Sequence, residues 1–294
     1  MSAQKKNILQ YGNISLEKGD FSLPPVLIGT IFYQGETIMD RKNGREFDKE
    51  KAKKRIELQR SLSEKYKIPN LLEISGHDPE AMKKYLEFYL DNYEPPFILG
   101  GSFDARKEGV KYLKDIGINP HDYIYNAVSN LKNNEEVQLL KNYKIESVVV
   151  LIIGSENMTS TQRFSYVTKK NQPNNESILE GLKRLGINKI WIDGGVSNLE
   201  SLGHVLETQK IISSSLNLPV GTAPNNFLFQ YSSPRLNQRF HTKFRRASIM
   251  HIASLYSNFI FYGAIEDAIE CFSSTYQSIE FRKVLRENNI RLME

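Results

Sequence analysis

The chain has 294 residues, with 39 Lys and Arg against 34 Asp and Glu, 40% apolar content and one cysteine. These ordinary fractions exclude disordered and fibrous classes. No apolar run approaches the roughly 18 residues needed to span a bilayer, and the opening MSAQKKNILQYGN lacks the apolar centre of a secretory signal. The lone Cys271 excludes an internal disulfide framework and a cysteine-rich zinc site, and a surplus of five positive charges is too small to argue for nucleic-acid binding. The expectation is a cytoplasmic protein with no nucleic-acid partner and no direct membrane insertion.

Residues 8–23 come first and read as a short β-hairpin turning at Tyr11, Gly12 and Asn13, a lid over the closed bottom of the fold. Apolar runs then recur, each bounded by turn residues. They cover residues 24–33, 70–75, 96–101, 122–128, 147–153, 189–195, 218–222 and 258–263. Most are continuous rather than alternating, as expected of strands buried on both faces of a parallel sheet. Helical stretches lie between them at 47–66, 78–92, 104–116, 134–142, 176–185, 197–215, 235–256 and 264–287. Asp78, Pro79 and Glu80 offer a cap, a first-turn proline and an early acid; Asn175 with Glu176, and Ser197, do similar work. Gly117 and Gly186 close two of the helices.

Eight strands alternating with eight helices over about 260 residues is the count of a (β/α)₈ TIM barrel. An open, doubly wound sheet is the α/β competitor, because a linear sequence does not prove closure. No linker, repeat or low-complexity block interrupts the pattern, so residues 1–294 read as one domain.

In a barrel, chemistry sits where strands end and the following loops begin. Those positions are rich in Asn, Ser, Thr and Gly and hold no lysine, which disfavours a Schiff-base aldolase. The five histidines are scattered, with no HxH or HExxH pair for a hydrolytic metal. What remains is a hydrogen-bonding surface suited to gripping a flat heterocycle by its edge. Two longer features bear on access. Residues 154–175 form a polar stretch that reads either as plain loop or as a mobile lid. Residues 235–246 are basic, either as a solvated helix face or as a dock for an anionic tail or acidic partner.

Several strings resemble one family in order along the chain. They are Gly29 to Tyr33, then Phe47 and Lys49; Pro79 to Ala81 with Lys84, Tyr85 and Phe88; Tyr125 and Asn126; and Ile192 and Asp193. Gly203 and His204, Leu218 to Gly221 with Asn226, and Tyr262 to Ile265 complete the series. The sequence resembles the H-subunit family of tetrahydromethanopterin S-methyltransferase, one of the pterin-binding corrinoid methyltransferases, over nearly its whole length. That resemblance implies a barrel that moves a methyl group from N5 of a methylated reduced pterin, of the tetrahydromethanopterin or tetrahydrofolate type, to the Co(I) of a corrinoid protein. It also implies a corrinoid cofactor carried on that partner, other complex subunits, a homodimer, and any membrane link made through partners. Because cobalt is itself the nucleophile, such a site needs no activated Ser, Cys or Lys.

The resemblance assigns Asn126 and Asp193 to the pterin's edge and places Asn226 by N5, with Asp193 and Asn226 as the catalytic pair. Plainer roles also fit: Asn126 and Asn226 as turn residues, and Asp193 as an organiser of Gly194 and Gly195. His204 fits a family position but reads as a helix contact. One position departs from the pattern. The family's third barrel strand ends in Asp, where this chain has Gly100. Ser102, Asp104 or Glu73 are the candidates to replace that carboxylate; with none, a buried donor pair goes unmet at a cost of about 1–3 kcal/mol. The alternatives are a same-family enzyme with another donor, such as a quaternary amine, or a non-catalytic pterin-binding subunit. Asp193, Gly194 and Gly195 also echo phosphate-binding barrels, without the partner acids those need.

Overall fold

The computed structural model describes residues 7–40, 44–154, 157–231 and 238–290. It opens with the antiparallel hairpin β1 (Ile8–Tyr11) and β2 (Ile14–Glu17). Eight parallel strands follow: β3 (Val26–Ile31), β4 (Asn70–Gly76), β5 (Phe97–Gly101), β6 (Tyr123–Val128), β7 (Ser147–Leu151), β8 (Lys189–Asp193), β9 (Val220–Thr222) and β10 (Phe259–Ala264). They pair in chain order, and β10 returns to β3, so the sheet closes into a barrel. That closure decides against the open doubly wound sheet.

Each crossover carries helix on the outside. These are α1 (Lys49–Tyr66), α2 (Pro79–Asn92), α3 (Phe103–Asp115), α4 (Asn134–Asn142), α5 (Ser160–Thr168), α6 (Ile178–Arg184), α7 (Leu199–Leu216), α8 (Gln238–Ala253) and α9 (Ala268–Glu287). Expected caps recur with small shifts. The Asp78 side chain accepts the Ala81 N–H at 2.9 Å, while Ser177 and Asn198, rather than Asn175 and Ser197, cap α6 and α7. Gly117 and Gly186 adopt φ of 83° and 88°, the left-handed turn that ends a helix cheaply only at glycine.

The strand period of two sorts every side chain. Val26, Ile28, Leu71, Ile98, Ile124, Val149, Trp191 and Phe259 point inward and fill the barrel's lower interior, and Tyr11, Ile14 and Leu16 of the hairpin pack onto them from below. The Tyr11 hydroxyl lies 2.6 Å from Ser147 Oγ and accepts the Trp191 indole N–H at 2.8 Å. Outward residues such as Leu72, Leu99, Tyr125, Val148 and Ile190 pack under the helices. The hairpin therefore plugs the bottom, as its pattern suggested, and leaves the opposite mouth open.

The polar stretch 154–175 differs from the loop or lid reading, because it holds α5. A capping box from Thr159 and Gln162 starts that helix. Its Arg163, 1% exposed, donates to the carbonyls of Gly194 at 2.6 Å and Gly195 at 2.8 Å. Few apolar residues mark α5 in the sequence because its anchor is a buried guanidinium rather than a greasy stripe. In the basic segment 235–246, residues 235–237 lie outside the described residues. Further on, Lys243 pairs with Glu270 of α9 and the buried Arg246 with Asp267 just before it, so both cations have partners within the fold.

Candidate active site at the barrel mouth

The inward positions just above the apolar layer are the candidate site of a barrel of this kind. Two residues beyond Ile28, Leu71, Ile98, Ile124 and Trp191 stand Thr30, Glu73, Gly100, Asn126 and Asp193. The rise of a strand turns each from the filled interior into the base of the mouth. There Thr30, Glu73, Asn126 and Asp193 line a cavity of about 400 Å³ together with Gly101, Arg106, Ala127, Ser129, Leu151, Ala223, Asn226, Phe261 and Gly263. Every barrel strand, or the loop directly after it, contributes. Leu151, Ala223 and Phe261 supply apolar wall; the carboxyls and amides supply polarity.

The polar residues form one connected network. Glu73 is 8% exposed, accepts the Thr30 hydroxyl at 2.6 Å and accepts the Asn126 side-chain N–H at 2.6 Å. Burial raises its carboxyl pKa, opposed by those two donors and by the Arg106 charge. Asp193 is 5% exposed, and its Oδ1 accepts the Gly195 N–H at 2.9 Å. Burial pushes its carboxyl up to about 7; the Gly195 N–H opposes the shift, the nearby Glu73 charge adds to it and Arg163 opposes it. Arg106 is held in place by the Gly101 carbonyl at 2.5 Å, by Glu136 at 2.9 Å and by the face of Tyr125, its guanidinium carbon 4.9 Å from the ring centroid.

Of the residues singled out in the sequence, Asn126, Asp193 and Asn226 all line this one cavity. Asn226 sits exposed on the short helical turn after β9. Ser102 does not join them: its hydroxyl caps α3 by accepting the Ala105 N–H at 3.2 Å and donates to the His77 carbonyl at 3.1 Å. Asp104 is likewise absent from the lining. Of the three candidates to replace the missing carboxylate, Glu73 is the one that lines the cavity. Glu73 is the one acid inside a continuous apolar strand, NLLEIS, and that isolation is what marks it as a mouth residue.

A larger hollow of about 600 Å³ lies beside the mouth, bordered by Phe32, Tyr33, Glu36, Met39 and His77. Its buried acid is committed, since Glu36 accepts the Phe32 N–H and pairs with Arg55. Converging strand ends favour the barrel mouth as the reactive site. No Lys, Cys or His lines the mouth cavity among the described residues.

The fold and this mouth define a (β/α)₈ barrel that gathers carboxyl and amide groups at its strand ends. The profile of the tetrahydromethanopterin S-methyltransferase MtrH subunit matches residues 9–290. The chain belongs to that methyltransferase family. It is 29% identical over 257 residues to the H subunit of tetrahydromethanopterin S-methyltransferase from Methanothermobacter marburgensis, covering 85% of this chain and 82% of that protein. It is 26% identical over 226 residues to the H subunit of a putative methyltransferase mtx from Methanosarcina barkeri, covering 76% and 72%. Among solved structures, Yersinia pestis dihydropteroate synthase with a pterine–sulfa conjugate superposes with a TM-score of 0.61 at 13% identity, covering 94% of this chain and 99% of that one. That likeness is one of fold. No helix among the described residues is long and apolar enough to cross a membrane.

Proposed function

We propose that this barrel binds a methylated tetrahydropterin, of the tetrahydromethanopterin or tetrahydrofolate type, and gives its N5 methyl group to the Co(I) of a corrinoid protein. The observation that carries the reading is the pairing of two buried carboxyls with an amide, with no Lys, Cys or His among the described residues, at the mouth of a methyltransferase-family barrel. A reduced pterin has a flat 2-amino-4-oxopyrimidine edge whose neighbouring N–H groups suit carboxylate and amide acceptors. Asp193 and Asn126 hold that edge. Asn226, on the exposed rim, faces N5 and stabilises it as the C–N bond breaks and the nitrogen keeps the electron pair and takes a proton. The apolar walls at Leu151, Ala223 and Phe261 keep the ring from tilting. The corrinoid, bound to its own protein, supplies the low-valent cobalt nucleophile, so this chain needs none of its own.

The partners follow from the same reading. A corrinoid protein docks over the open mouth, sister subunits complete a methyltransferase complex, and any membrane link runs through them from the cytoplasmic side. A second copy of the chain pairs through α9, where Ile269, Phe281 and Val284 stand exposed. Sedimentation of the purified chain checks the dimer.

The deciding experiment mixes the purified chain with reduced corrinoid protein and follows cobalt methylation by absorbance. Methyl-tetrahydromethanopterin, methyl-tetrahydrofolate and a quaternary amine serve as donors in turn. Methylation from a pterin, abolished in Asp193→Ala and in Asn126→Ala with the fold intact, supports the reading. Methylation from the quaternary amine alone overturns the donor. Tight pterin binding with no turnover makes the chain a binding subunit. Full turnover in both variants overturns the site.

A further inference from the structure

Gly100 occupies an inward position of β5, two residues beyond the core residue Ile98, where a side chain would project into the mouth. A Cβ placed there would come within 2.2 Å of Glu73 Oε1, 2.8 Å of its Cδ and 2.9 Å of its Cγ. The space that a side chain at 100 would use is therefore filled by the end of Glu73. Glu73 starts one strand away, on β4, in register with Ile98. Its side chain crosses β5 above the glycine and reaches Asn126 on β6. Any larger residue at 100 would block that path.

The contact has a second consequence. Asn126 spends one of its two side-chain N–H donors on Glu73, which orients its amide and leaves the carbonyl oxygen as its acceptor. Asp193 spends one oxygen on Gly195 and keeps the other. We propose that Glu73 is the specificity-determining residue of this mouth: by reaching over Gly100 it holds the Asn126 carbonyl toward the cavity and completes, with Asp193, a row of acceptors that selects a ring edge bearing adjacent N–H donors. This rests on the tetrahydropterin reading above and names the group that enforces it. The 2-amino-4-oxopyrimidine edge offers N3–H beside the 2-amino group. Its 2-oxo analogue turns an acceptor toward the row, and sites built to bond a donor reject such an analogue strongly. Burial of Glu73 and Asp193, which raises the pKa of both, adds to the preference, because donor groups on the ligand ease the crowding of two acids.

The test is calorimetric binding of tetrahydrofolate and tetrahydromethanopterin, each beside its 2-oxo analogue, with thermal melts confirming the fold. The native chain binds at least one amino form, tenfold or more tighter than its 2-oxo counterpart. Glu73→Gln, which keeps the shape but can turn an N–H to the cavity, weakens the amino form by tenfold or more and narrows that discrimination. Gly100→Ala, which leaves Glu73 in the chain but crowds it off Asn126, weakens binding in the same direction. Glu73→Ala with Gly100→Asp, which returns a carboxylate to the vacated space, recovers at least tenfold over Glu73→Ala alone. Native affinity and discrimination in both Glu73→Gln and Gly100→Ala, with Asp193→Asn impaired, would overturn the role of Glu73 and leave the pterin reading standing. No binding of either pterin to the native chain would overturn both.

Discussion

Asp193 lies two residues beyond Trp191, so the strand that buries the indole also carries the carboxyl to the base of the mouth. Its pKa of about 7 makes it a source of pH-dependent stability. An unfolded Asp ionises near 3.9, so between that value and 7 the folded chain holds a proton that the unfolded chain has released. Stability from this group is complete below the unfolded pKa and is lost as pH rises through about 7. Three units correspond to about 4 kcal/mol at most. Asp193→Asn removes that penalty without changing the size of the side chain. Its melting temperature relative to the native chain is expected to be higher at pH 8 than at pH 5, and melts across that range check it. An offset that does not vary with pH would show that burial of Asp193 costs nothing. The same variant is expected to lose methyl transfer, which makes this residue a local trade of stability for binding.

At the scale of elements, α5 and the loop after β8 stabilise each other. Arg163 reaches from the helix to two carbonyls of that loop and to the Met158 carbonyl at 3.1 Å, and burial lowers its pKa. Removing it leaves buried acceptors unsatisfied. Arg163→Ala is expected to cost about 2–4 kcal/mol of stability in urea unfolding. Because Gly195 donates its N–H to Asp193, the loss is also expected to weaken pterin binding although Arg163 does not line the cavity. Lysine cannot reproduce the fork, so Arg163→Lys should recover only part of both. Equal pterin affinity in native and Arg163→Ala chains would show that the loop holds its shape unaided.

The whole molecule separates stability from chemistry along the barrel axis. The hairpin seals the bottom through Tyr11, whose hydroxyl is buried between Ser147 and Trp191 and whose pKa burial pushes up to about 12. The carboxyl and amide groups of the mouth gather at the other end, above the packed layer of Ile98, Ile124 and Phe259. Tyr11→Phe is expected to lower stability by about 1–3 kcal/mol through the lost partners. Its rate of methyl transfer should match the native chain, measured at a temperature where both remain folded. A slowed rate in that variant would show that the plug communicates with the mouth.

The apolar runs, their spacing and the caps already implied eight strands and eight outer helices, because burial on both faces writes continuous apolar runs that are legible one strand at a time. The collinear strings from Gly29 to Ile265 likewise pointed to the family. Asn126, Asp193 and Asn226 were singled out by that resemblance, and the fold brings all three to one cavity. Closure of the sheet was decided only in three dimensions, since it depends on β10 meeting β3 across more than 220 residues of chain. So was helix α5, whose anchor is an ion-like contact to a loop some thirty residues away. The clearest case is Gly100, which reads as a missing carboxylate along the sequence. In the folded barrel its bare backbone is the gap through which Glu73, from the neighbouring strand, passes to reach Asn126. Strand order sets which residues can compensate for one another, and strand order is a property of the closed sheet.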